Sequence, residues 1–352
     1  MRIAIVNDLR LACEALRRAI VVGGRHQVAW TAAGGADAIS LASRDRPDLI
    51  LMDMIMPGID GVEATRQIML QSPCPILVVT STVSGNITKV IDALSNGALD
   101  AVETPSIGPK GELLGSSRLL EKIARIEHLH DRPPMATLVG LAGSAGAVGA
   151  QQVTRLILLG ASTGGPRVLA EILHEMPPDL NVPIVIAQHI DEGYVGGLAK
   201  WLAEHATLPV EVAVAGSEPR AGRVYLAASH EHLAIRPDRR LHYVSEPSGA
   251  WYHPSVDVLF STAASYWPIP GIAALLTGMG RDGAKGLADL RRAGWTTIAQ
   301  DQATSVVWGM PKAAFDLGAA AVTLPSSQIA AHILSQLKRA IPKPASNSPK
   351  LP

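Results

Sequence analysis

Apolar positions in the first third of the chain fall into short runs separated by helically spaced stretches. Residues 3–6 form an apolar run ending at Asn7 and Asp8. Residues 9–22 have helical spacing, 27–31 read as a strand and 35–42 as a helix. Residues 49–53 predict a strand ending in a carboxylate, 61–70 a helix, 76–80 a strand, 87–96 a helix and 101–102 a last short strand. Continuous apolar runs bounded by turn residues mark strands, and a 3.6-residue spacing marks helices. Five strands alternating with helices predict a doubly wound parallel sheet. A helical stretch at 119–129 closes this part.

Residues 131–152 change character to a Gly-, Ala- and Pro-rich run, the composition of a linker. From Thr154 the alternation returns. Strands are predicted at 155–160, 182–188 and 210–214, with helices at 167–175 and 194–205. Short strands at 223–227, 233–236 and 241–244 read as an antiparallel portion. A helix at 256–265, a strand at 272–278, a helix at 284–293, a strand at 295–299 and a helix at 330–340 follow. The expected division is 1–120, a helix end and linker at 121–152, a second domain at 153–341, and a disordered tail at 342–352.

Composition narrows the function classes. At 352 residues the length suits two domains. Lys plus Arg and Asp plus Glu are both 31, so net charge is zero, which argues against a generic nucleic-acid binder. Aromatic residues are only 4%, so the cores are built from Ala, Val, Leu and Ile, as buried parallel sheets are. Cys13 and Cys74 offer no disulfide framework. No run is long and apolar enough to insert in a membrane, and the start has no signal-peptide pattern, so a soluble cytoplasmic protein is expected; zero net charge and the absence of long heptads point to a monomer.

In a doubly wound sheet, sites form beyond the carboxyl ends of the strands. Asp8, Asp53 and Thr80 fall at such ends, and DMIMPGIDGVEA runs on from Asp53. Any one of these acids could simply cap the next helix. Together they suit a hard divalent cation and a phosphoryl group on a carboxylate. This set resembles a response-regulator receiver domain, a flavodoxin-like fold. The resemblance implies Asp53 as phospho-acceptor, Asp8, Asp53 and the Ile55 carbonyl as Mg2+ ligands, and Thr80 as the switch hydroxyl. Two departures stand out. Asn7 replaces the first of two adjacent acids, and Thr104 precedes Pro105 where receivers carry a lysine. The missing lysine removes a cation from the phosphoryl pocket.

The second half carries a sharper set. GASTGGP at 160–166 follows a strand and precedes a helix, and its small residues permit a tight turn expected to expose the Ser162 hydroxyl. His189 ends the run VPIVIAQ, and Asp282 lies in LLTGMGRDGAKG between a strand and a helix. A serine nucleophile needs a base, and a carboxylate fixes that base's tautomer. Backbone amides near the Ser162 turn and at Gly278–Gly280 could hold an oxyanion. The order Ser, His, Asp is not that of α/β-hydrolases. Spacing does not rank His189 above His230, His232, His242 or His253, and Asp282 alone could cap the following helix.

Residues 153–340 resemble the catalytic domain of the chemotaxis protein-glutamate methylesterases, CheB, through LLGASTGGP, IAQHI, LLTGMGRDGAKGL and TSVVWGMPKAA. The resemblance implies a second doubly wound α/β domain, with Ser162, His189 and Asp282 catalytic and Thr163 and Met279 shaping the serine and oxyanion region. It implies demethylation of glutamate methyl esters on methyl-accepting receptors, with glutamine deamidation. No metal is needed for hydrolysis, and the phosphodonor is a CheA-type histidine kinase. The receiver is expected to pack over the catalytic face. VNDLRLACEALRRAI and VETPS resemble the subgroup serving Wsp-type surface-sensing pathways. Two other readings differ in class. One is a receptor-docking signalling module with a weak or latent esterase. The other, a receiver-linked transcription regulator, lacks a basic recognition helix.

Overall fold

The computed structural model describes residues 1–22, 24–81, 87–128, 154–228, 231–245 and 253–338. The expected linker run at 131–152, the tail at 342–352 and His230 lie outside the described residues.

The first unit runs β1 (Arg2–Val6), α1 (Arg10–Val22), β2 (Gln27–Ala32), α2 (Gly35–Arg44), β3 (Leu49–Asp53), α3 (Gly61–Gln71), β4 (Ile76–Thr80), α4 (Ile87–Ser95) and β5 (Asp100–Glu103). A small hairpin, β6 (Ser106–Ile107) and β7 (Leu113–Leu114), leads into α5 (Ser116–His128). The five long strands form one sheet in the order β2-β1-β3-β4-β5. Strands β3 and β4 are buried along their whole length, so their runs are continuously apolar rather than alternating. The winding of the sheet reverses between the parallel strands β1 and β3, and the ends of these two strands carry Asp8 and Asp53. Helix α5 crosses the expected boundary at residue 120 and packs on β5 and α1. The hairpin was not foreseen, because two-residue strands have no period to read.

The second unit runs β8 (Ile157–Ala161), α6 (Gly165–His174), β9 (Ile184–Gln188), α7 (Glu192–His205), β10 (Val210–Val212), β11 (Val224–Leu226), β12 (His232–Ile235) and β13 (Leu241–Val244). It continues with α8 (Val256–Tyr266), β14 (Ile272–Leu275), α9 (Ala284–Arg292), β15 (Thr296–Gln300), α10 (Met310–Asp316), β16 (Val322–Leu324) and α11 (Ser326–Leu337). Seven strands form a sheet in the order β10-β11-β9-β8-β14-β15-β16, with every pairing parallel. One expectation is corrected. The strand at 223–227 is not antiparallel: β11 joins the large sheet beside β9, and only β12 and β13 form the antiparallel ribbon. A three-residue apolar strand carries no sign of its partner's direction.

The two units share a hydrophobic core. Helix α4 lies on α6 and α7, and Val90, Ile91 and Leu94 belong to the same buried cluster as Leu169, Leu173, Leu198 and Leu202. A Cβ on Gly197 would stand 1.9 Å from Ile87 Cγ2, so glycine is what lets α7 approach α4. Trp201 Nε1 donates to Asp92 Oδ1 across the seam at 3.1 Å. Buried Lys122 of α5 joins Asp100 of its own unit to Asp191 of the other, the latter at 2.8 Å. Burial alone would depress the Lys122 pKa, but Asp100 and Asp191 outweigh it and hold the ammonium charged.

Candidate active site

The chain reverses winding between β8 and β14, which pair directly at the middle of the large sheet. Sites in such sheets open at this switch point. Ser162 follows β8, His189 follows β9 and Asp282 follows β14, so the three sequence-selected residues gather at neighbouring strand ends.

The Ser162 turn is held from both sides. Ser162 N donates to Thr277 O at 3.1 Å, and Thr277 Oγ1 donates to Thr163 O at 3.0 Å. Gly164 sits at φ +75, a left-handed conformation that favours glycine, and Pro166 lies in the first turn of α6. A Cβ on Gly278 would lie 2.7 Å from Ser162 Cβ, so the Gly278–Met279 turn packs directly on the serine.

His189 Nε2 lies 2.7 Å from Asp282 Oδ2, and both side chains are buried. The Asp282 carboxylate also accepts from Ser255 Oγ at 2.8 Å, Val256 N at 2.6 Å and Asp257 N at 3.0 Å. The N-terminus of α8 thus cradles it. Burial would raise its pKa, but the bonds from His189 and from the Asp257 and Val256 amides prevail and keep it low. Beside it, burial and then the charge of Asp282 push Asp257 up to about 7. None of the described competing histidines takes the place of His189 against Asp282. Buried His232 accepts from Ser255 N through Nδ1 at 3.0 Å and stacks on His253 at 4.6 Å, while His242 pairs with Asp238 at the surface.

One expectation fails. Ser162 is not exposed: its accessibility is 9%. Val306 packs against Gly164 on one side and against Gly97 of the first unit on the other, and Thr163 Oγ1 reaches Leu99 O at 3.5 Å. The segment before β5 therefore lies over the serine turn.

Sequence reasoning passed over four residues. Gln188, Ser255, Thr277 and Gln300 are buried polar side chains, and Gln300 Oε1 accepts from Thr277 N at 2.8 Å. Only their burial distinguishes them, and spacing does not report burial of a single polar residue.

In the first unit, Asp53 is mostly buried and its Oδ1 accepts from Met54 N at 2.7 Å. Burial raises its pKa, and the charge of exposed Asp8 pushes the same way. Two carboxylates that repel across a strand-end pocket, with the Ile55 backbone alongside, form a hard oxygen donor set that fits Mg2+. Thr80 is buried at the end of β4, and Thr104 N donates to Thr80 O at 2.9 Å. Asn7 acts on the local backbone instead. Its Oδ1 accepts from Leu9 N at 2.8 Å and shapes the entry to α1.

Comparison with known proteins places both halves. Residues 157–333 match the family model for CheB methylesterase, and residues 3–110 match that for the response regulator receiver domain. The chain belongs to the CheB methylesterase family. A protein-glutamate methylesterase/protein-glutamine glutaminase of Mesorhizobium japonicum is 47% identical over 341 residues, covering 96% of this chain and 99% of its own. One of Burkholderia orbicola is 48% identical over 334 residues, covering 95% and 98%. The crystal structure of the Thermotoga maritima CheB methylesterase catalytic domain superposes with a TM-score of 0.50 at 34% identity, covering 52% of this chain and 98% of that one. As a CheB methylesterase with a receiver domain, the chain combines a phosphorylation-type regulatory unit with a hydrolase unit.

Proposed function

We propose that the protein is a cytoplasmic, phosphorylation-regulated esterase that removes methyl groups from glutamate side chains of a methyl-accepting receptor and deamidates receptor glutamines. The contact that carries this reading is the buried 2.7 Å pair of His189 Nε2 and Asp282 Oδ2 beside the Ser162 turn. No described helix is long and apolar enough to cross a membrane.

In this mechanism Ser162 Oγ attacks the ester carbonyl carbon, and its proton passes to His189 Nδ1, the ring nitrogen not committed to Asp282. Asp282 stabilises the imidazolium. Backbone amides at Thr163 and Met279 hold the oxyanion. Methoxide leaves with the proton from His189 as methanol. Water, deprotonated by His189, then attacks the acyl carbon and releases glutamate and free Ser162. With an amide substrate the same steps release ammonia. In the receiver, Asp8, Asp53 and the Ile55 carbonyl would hold Mg2+, which screens the charge of an incoming phosphoryl group from a histidine kinase. Asp53 accepts that group and Thr80 follows it. The Wsp-type subgroup, with its dedicated receptor, is the pathway the Asn7 and Thr104 departures favour.

The direct test is methanol release from methylated receptor fragments, with and without acetyl phosphate and Mg2+. Release that rises with the phosphodonor is expected, and the rise should vanish in Asp53→Asn. No methanol from the folded wild type would overturn the esterase reading. Stimulation persisting in Asp53→Asn would overturn the acceptor assignment.

The seam yields a further expectation. Lys122→Met leaves Asp100 and Asp191 facing each other across it without the ammonium that bridges them, with only the more distant charge of Arg125 acting on Asp191. Both aspartates are partly solvated, so the effect is discounted to about 1–2 kcal/mol against the closed arrangement. The phosphodonor-independent rate should therefore rise about 10-fold, since about 1.4 kcal/mol is tenfold. An unchanged basal rate would show that this triad does not hold the receiver in place.

A further inference from the structure

We propose that Gln188 is a positioning residue that sets the distance between the nucleophile and the base by tying their two backbone segments together; this rests on the esterase reading above. Its carboxamide donates twice from Nε2, to Ser162 O at 2.8 Å and to His189 O at 2.9 Å. One rigid planar group thus spans the serine turn after β8 and the histidine after β9. The orientation of the amide follows from chemistry, because a flipped group would set its oxygen against both carbonyls.

Two observations separate this from ordinary core filling. Gln188 is 2% exposed, yet its Oε1 has no hydrogen-bond partner among the described residues. A buried, unsatisfied oxygen is a standing cost that an apolar side chain of the same shape would avoid. Retaining the amide makes sense if its two donors are what the site uses. The neighbouring motif also makes room for it. A Cβ on Gly165 would lie 2.1 Å from Gln188 Oε1 and 2.7 Å from Ala161 Cβ. Gly165 does not have a positive φ, so its small size, not its backbone freedom, is what the position requires. The second glycine after Ser162 is thereby explained as the space that seats Gln188.

The link is mechanical. The rate of acyl transfer depends on the approach of Ser162 Oγ to His189, and a displacement of about 1 Å can cost about 100-fold. Strands β8 and β9 pair up to Ala161 and Gln188, and His189 N donates to Ala161 O at 3.0 Å. Beyond that bond, the Gln188 side chain joins the two segments.

The test compares wild type with Gln188→Met, Gln188→Asn and Gly165→Ala in the full chain. Readouts are methanol release, the rate and final extent of Ser162 labelling by a fluorophosphonate, and thermal midpoint. Gln188→Met keeps the length and apolar bulk but neither donor. It should lose about 100-fold in kcat with KM within about twofold, and label Ser162 correspondingly slowly but to full extent. The midpoint of the acidic limb of its kcat–pH profile should stay in place while the plateau falls. Gly165→Ala should show the same slow labelling. Gln188→Asn reaches only one carbonyl and should lose about 10-fold in rate; it serves as the deciding variant if Gln188→Met folds poorly. A kcat and labelling rate within about twofold of wild type in a folded Gln188 variant would overturn the proposal. So would a loss seen only in labelling extent, in step with a lower thermal midpoint. A wild type that labels but releases no methanol would overturn the substrate reading instead, and the labelling rates would still decide the role of Gln188.

Discussion

Ser162→Ala is expected to lower methanol release by about 10⁴-fold or more, to the residual rate that binding and oxyanion contacts supply without a nucleophile. The substitution removes one oxygen. It leaves both backbone anchors of the turn in place, Ser162 N on Thr277 O and Gly165 N on Ser162 O. The thermal midpoint and circular dichroism should therefore barely change, and the phosphodonor should still act on Asp53. Loss of methanol with an intact fold separates a nucleophile from a structural serine. Retained hydrolysis would end the assignment.

Asp282→Asn is expected to cost about 10³- to 10⁴-fold in kcat. The carboxylate accepts four donors, from His189 Nε2, Ser255 Oγ, Val256 N and Asp257 N. An asparagine offers one acceptor oxygen and one NH2 group. If the NH2 faces His189, it forces Nε2 to accept, places the ring proton on Nδ1 and removes the nitrogen needed for the serine proton. If it faces α8, donor meets donor at the helix N-terminus. Either arrangement also removes the charge that stabilises the imidazolium. Unsatisfied donors at α8 should cost about 1–3 kcal/mol of stability as well. Steady-state kinetics and a thermal melt check both effects, and a kcat within tenfold of wild type would refute the role.

The sequence made the strand-end residues legible and left their supports obscure. Ser162, His189 and Asp282 could be picked out because each stands between an apolar run and a helix start, a pattern local enough to read. Burial of the strands forces those runs to be continuous, so β3, β4 and β9 were plain. The antiparallel reading of β11 failed because three residues hold too little pattern to fix a partner. Helix α10 and strand β16 went unseen for the same reason of length. The covering of Ser162 was hidden for a different one. It depends on Leu99 and Val306, which are distant in sequence and carry no chemistry of their own. Gln188 stood at the end of a recognised strand beside the chosen histidine, and looked like any polar residue closing an apolar run.

Gly197 has a consequence for signalling. By admitting Ile87 so closely, it helps make the seam part of one continuous apolar interior rather than a wet contact between neighbours. Parting such a seam uncovers side chains that each favour burial by about 1.5–3 kcal/mol when fully enclosed. Moving a closed population from 1:99 to 99:1 open takes about 5.5 kcal/mol of preference for the open form. A seam of this kind acts as a threshold element. Under the phosphorylation control proposed above, it would keep unstimulated output low and pass only inputs that change the receiver enough to overcome it, so the tightness of one helix crossing would help set the gain of the pathway. A larger residue at position 197 would trade that quiet background for sensitivity.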